Sequence, residues 1–128
     1  MPTFRGQGDA PVVQFDPTVE VSPFMVFRRL KAGKAPRLVD VRPGPPDDPT
    51  DGRSLAGAER MPDESWTPTE MDEEVVLFDA NGTRAVDVVR RLQQNGYPRV
   101  RALFGGLDLY EFSLDPEIVG TGTFLTRA

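Results

Sequence analysis

The sequence predicts an α/β fold: a doubly wound sheet of about five mostly parallel strands flanked by helices. Short apolar runs suited to buried strands alternate with amphipathic helical stretches, and the connections between them have the lengths of right-handed β-α-β units. At 128 residues the chain fits one domain around one core.

In chain order, the polar, Gly-containing start tightens into a first strand near Val12, Val13 and Phe15, which Asp16-Pro17 breaks. Val19 and Val21 add an extended stretch. Ser22 then caps a helix with Pro23 at its first position, Phe24, Phe27 and Leu30 form its apolar stripe, and Gly33 ends it. The run from Arg37 to Arg42, bounded by Pro36 and Pro43, reads as a buried parallel strand. The Pro-, Gly- and Asp-rich segment 43–54 reads as a loop, and Leu55 to Pro62 as a short strand. Trp66 packs the following loop or short helix onto the core. Glu74 to Phe78 is the clearest strand. It runs into Asp79–Arg84 and then a helix whose Ala85, Val88, Val89 and Leu92 recur at i, i+3, i+4 and i+7, with Gly96 as the stop. Arg99 to Phe104 is a further strand ending in Gly105-Gly106, and 114–128 reads as a turn and tail. The expected organisation is an extension with the first strand over 1–18, the domain over 19–113 and the tail over 114–128.

Composition narrows the chemistry. With 38% hydrophobic and 27% charged residues and no long apolar tract, the sequence predicts a soluble chain with no membrane-spanning helix, and the cytoplasm is the simplest address. A net charge of −5 argues against nucleic acid as a partner. With no Cys and no His, the chain lacks thiolate nucleophiles, disulfides, the usual imidazole base and the commonest metal ligands. No metal and no cofactor is expected.

Parallel sheets of this kind gather ligands at the carboxyl ends of their strands, which places Asp40 and Arg42, Asp79 to Arg84, and Gly105-Gly106 on one rim. The loop Asp79, Ala80, Asn81, Gly82, Thr83, Arg84 joins a central strand to a helix. Its backbone N–H groups can converge with the helix dipole behind them, which makes an anion cradle. Gly82 permits tight curvature, and Arg84 adds a planar cationic fork at the helix entry. Capping alone also calls for Asp, Asn, Thr and Gly at such a turn, and Arg84 is equally suited to a structural ion pair.

From about Val19 to Phe112 the chain resembles the rhodanese-like (sulfurtransferase) domain family. The resemblance is carried in order by Val21-Ser-Pro-Phe24, Leu38-Val-Asp-Val-Arg42, Leu55-Ala-Gly-Ala58 with Met61-Pro62, Val75 to Arg84, Asn95-Gly-Tyr97, and Leu103-Phe-Gly-Gly106. In that family the loop opens with a Cys that carries a persulfide, and an Arg follows after four intervening residues. Here Asp79 stands at the Cys position. A carboxylate cannot form a persulfide, so the resemblance implies a variant without its own sulfur-transfer nucleophile. Gly82 and Arg84 match the rest of the loop. Ser54 stands where active members often carry His, and Leu109 or Tyr110 falls near a usual Trp.

The expected function is therefore a catalytically inactive rhodanese-like domain serving as a binding or regulatory module. Its partner is an unidentified protein or a small anion, and a homodimer stays open. The acidic Pro-rich loop 43–51 is either a contact surface or a solvated connector. Asp79 itself can fill the cradle from within, beside Arg84. Two alternatives remain. One is a small-anion binding protein. The other is a haloacid-dehalogenase-like phosphohydrolase using Asp79 and magnesium, because Leu77-Phe-Asp-Ala-Asn-Gly-Thr83 also resembles that nucleophile motif, with Asn81 at the place of its second acid.

Overall fold

The computed structural model describes residues 14–44 and 50–127. In order these form β1 (Glu20–Val21), α1 (Pro23–Lys31), β2 (Arg37–Asp40), β3 (Arg53–Leu55), β4 (Glu59–Arg60), β5 (Val75–Phe78), α2 (Thr83–Gln94), β6 (Val100–Leu103), α3 (Gly106–Ser113), α4 (Pro116–Val119) and β7 (Leu125–Arg127). Five strands make one sheet in the order β1-β6-β5-β2-β4, with every pairing parallel, and β3 and β7 form a separate antiparallel pair.

β5 occupies the centre because all four of its residues are apolar and buried. Alternation sends them to opposite faces. Val75 and Leu77 join Val39, Val100 and the Ala85, Val88, Val89, Leu92 stripe of α2. Val76 and Phe78 join Leu38, Leu103, Val26 and Phe27 of α1, and Leu107 and Tyr110 of α3. Each fully buried Leu or Val side chain contributes about 1.5–3 kcal/mol, so the two layers fix the strand ends that carry the rim.

Several expectations change in detail. Val12 and Val13 lie outside the described residues, and Phe15 is irregular, its ring edge-on to Phe104 at 5.4 Å. The first described strand is instead Glu20–Val21, within the expected extended stretch. Ser22 caps α1 by accepting from the Met25 N–H, but the buried face is Pro23, Val26 and Phe27 rather than one that includes Phe24. Phe24 lies roughly 160° around the helix from Val26 and so faces out when Val26 packs inward. The 55–62 segment is divided between two sheets: Leu55 ends β3, and Glu59-Arg60 form β4. The expected tail instead forms α4 and β7. Its residues pack back on the core, where Leu114 is buried, the Tyr110 hydroxyl donates to the Thr123 carbonyl at 2.5 Å, and Phe124 meets Phe27 at 6.2 Å. Among the described residues no helix is long and apolar enough to cross a membrane.

Candidate functional site

Asp79 follows β5 directly, Asp40 ends β2 opposite Phe78, and Gly105-Gly106 follow β6, so the parallel register brings these positions to one rim. Asp79 is buried. Its Oδ1 accepts from the Gly82 N–H at 2.5 Å and its Oδ2 from the Arg84 N–H at 2.9 Å, while Asn81 Oδ1 accepts from the Thr83 N–H at 3.0 Å. Three successive donors at the start of α2 are therefore met by side chains of their own loop. The residue at the α2 cap position, Gly82, has φ +94° and offers no side chain, so Asp79 supplies the acceptors that a Ser or Asp cap would normally give.

The double glycine forms the wall behind this loop. Leu107 N–H donates to the Asp79 carbonyl and Asp108 N–H to the Ala80 carbonyl, both at 2.9 Å. Gly106 has φ +64°, and a Cβ there would fall 2.6 Å from the Ala80 carbonyl and the Asn81 nitrogen. Only a glycine lets the α3 start approach the loop this closely.

Arg84 is turned along the rim. Its Nε donates to the Val41 carbonyl at 2.5 Å, and its Nη2 pairs with Glu64 Oε2. Glu64 Oε1 lies 3.5 Å from Nη1 of Arg91, two turns further along α2. These groups border an open cleft of about 510 Å³ whose walls include Glu64, Asp79, Asn81, Thr83, Arg84 and Arg91.

Asp40 and Arg42 stand on the same rim but not among the residues lining this cleft. Arg42 clasps Asp40 with Nε to Oδ1 at 3.0 Å and Nη2 to Oδ2 at 2.8 Å, and Arg60 Nε lies 3.6 Å from Asp40 Oδ2. Arg42 also reaches Asp51 at 2.9 Å, and Arg53 continues the chain of pairs from Asp51 to Asp108 and Glu111 of α3. Hydrogen bonds from Arg53 hold the Asp51 carboxyl well below the usual carboxylate range, against the opposing effect of its partial burial. This network ties the 50–55 segment to α3.

The sequence reading missed Glu64, Asp87 and Arg91 as cleft residues. Arg91 was legible, since a seven-residue step from Arg84 spans two helical turns and keeps both on one face. Glu64 lies in the irregular 61–74 connection, where no periodicity marks a side chain's direction.

Comparison with known proteins agrees with this fold. A rhodanese-related protein from Thermoplasma volcanium superposes with a TM-score of 0.59 at 23% identity, over 75% of this chain and 93% of its own. The rhodanese-like domain of an Anabaena protein gives 0.61 at 21%, over 74% of each chain. A thiosulfate sulfurtransferase from Pseudomonas aeruginosa gives 0.62 at 19%, over 87% of this chain but only 20% of that larger protein. No protein-family model matches the sequence, and no curated protein does. The chain thus has the rhodanese-like fold. It carries that fold with no cysteine anywhere in its 128 residues, and an aspartate opens the loop between β5 and α2.

Proposed function

We propose that this chain is a rhodanese-like module that does not transfer sulfur through its own residues and acts by binding, as a regulatory or interaction domain. The observation that carries the reading is Asp79. Both of its oxygens are held by the backbone donors of its own loop, so the place where a sulfur-carrying group would be cradled is filled by the Asp79 side chain. A thiolate or persulfide chemistry has no residue to start from. The partner is a protein or a small anion, a homodimer is compatible with the reading, and the cytoplasm is the compartment we assign. The net charge of −5 disfavours nucleic acid.

The phosphohydrolase alternative draws less support. Its nucleophile must be free to attack, whereas both Asp79 oxygens are engaged, and Asn81 stands where that mechanism needs its second acid.

The test is thiosulfate:cyanide sulfurtransferase activity of the wild type beside Asp79→Cys. The expected result is a silent wild type and measurable turnover in Asp79→Cys, because the freed N–H groups of Gly82 and Arg84 would then face a thiolate. Turnover by the wild type would overturn the reading.

A further inference from the structure

We propose that Arg84 and Arg91 form a two-pronged receptor for a small oxyanion, and that Glu64 occupies this receptor until the anion displaces it. The proposal rests on reading the cleft as a binding site and names what it binds. The structure already places an oxyanion there: the Glu64 carboxylate spans the two guanidiniums, with Oε2 on Arg84 and Oε1 3.5 Å from Arg91. The receptor is organised before any ligand arrives. Arg84 is anchored through Nε on the Val41 carbonyl, which leaves its terminal nitrogens for an anion. Arg91 presents Nη1 to the cleft, and Glu64 Oε1 meets it only at 3.5 Å, so this prong is loosely engaged.

Glu64 is suited to be displaced. Its side chain is 62% exposed, on an irregular connection, and exposed ion pairs hold their partners weakly. Arginine forks bind phosphate-, sulfate- or carboxylate-like groups with paired hydrogen bonds, which a tetrahedral or planar oxyanion bridging both residues would gain together. The Asp79 carboxylate nearby is already consumed by backbone donors. Asp87 also borders the cleft and opposes anion binding there, more strongly for a highly charged anion than for a singly charged one.

The test titrates the full chain with inorganic phosphate, sulfate and acetate in turn at constant ionic strength, reading the arginine Nε–Hε and backbone amide resonances. Glu64→Gln removes the competing charge at an exposed site and is expected to tighten binding of at least one anion about tenfold, with the shifts centred on Arg84 and Arg91. Adding Arg91→Gln to Glu64→Gln is expected to abolish that gain. The proposal fails if Glu64→Gln binds none of the three more tightly than wild type, or if the double variant binds as tightly as Glu64→Gln. Such a failure leaves the sulfurtransferase test of Asp79 untouched, since that assay reads the loop and this one the face of α2.

Discussion

Two buried aspartates sit at the carboxyl ends of adjacent strands; Asp40 is satisfied chiefly by guanidiniums, with the Arg42 N–H also on its Oδ1 at 2.9 Å, and Asp79 by backbone N–H groups. Asp40, at the end of β2, is clasped by the guanidinium of Arg42 with Arg60 behind it. Asp79, just past β5, is held by the backbone N–H groups of Gly82 and Arg84. Guanidiniums come from side chains and can be lost by mutation, leaving a buried charge stranded. Backbone donors come with the helix start and remain whatever residue faces them. The Asp79 position is therefore the one that tolerates a change of anion, whereas Asp40 is locked into its network.

The largest effect should follow from breaking the Asp40 side. Arg42→Met leaves Asp40 with the residue-42 N–H on Oδ1 and the more distant Arg60 but without its guanidinium clasp, and removing one partner of a buried pair typically destabilises by about 3–5 kcal/mol. Urea unfolding at neutral pH measures it. A loss smaller than that of Asp79→Ala would reverse the ranking of the two carboxylates.

Gly106→Ala comes next and tests the support behind Asp79 rather than its charge. The new methyl must meet the Ala80 carbonyl at a left-handed backbone position, so a loss of roughly 2–3 kcal/mol is expected. The amides of Gly82 and Arg84 should also lose hydrogen-exchange protection, because the loop can no longer sit against α3. Unchanged protection would mean that Asp79 holds the loop without the glycine wall.

Asp79→Ala follows, at about 1–2 kcal/mol, the usual price of an absent helix cap. Asp79→Asn should lose clearly less, since an amide oxygen still accepts from one of the two donors. Thermal melts of both variants separate capping from charge: equal losses would assign the stabilisation to the negative charge, and no loss in Asp79→Ala would remove Asp79 from the structural account.

What the sequence made legible follows the same physical divide. The α2 stripe, the buried β5 run, the double glycine and the loop from Asp79 to Arg84 were readable because each is local, set by periodicity or by turn chemistry within a few residues. Asp79 as an internal filler of the loop was readable too, from a carboxylate placed before a helix start. The outward turn of Phe24 was not, because which side of α1 faces the sheet depends on packing with α3 and β6. Nor was β7, a three-residue strand with no apolar alternation that exists only because β3 lies beside it. The Asp40 network was hidden for the same reason, since Arg53 and Arg60 reach it from other strands.

A third carboxylate, Glu74, gives the smallest effect and completes the comparison from the opposite end of the sheet. It precedes β5 and is paired through hydrogen bonds with Arg29 of α1, and more loosely with Arg99 at 3.8 Å. The hydrogen bonds from Arg29 hold its carboxyl below the ordinary value, against partial burial that pushes it up. A depressed folded-state pKa contributes stability that is present above the unfolded value of about 4.3 and is lost as pH falls through the folded value. Glu74→Gln should therefore be slightly less stable than wild type at pH about 6, by about 0.5 kcal/mol or less because the pair is screened by solvent, and its stability should fall less steeply on acidification. Urea midpoints measured across that range decide it: if both proteins lose stability in parallel below pH about 4, the acid response belongs to other carboxylates, with Asp51 beside Arg53 the first to examine.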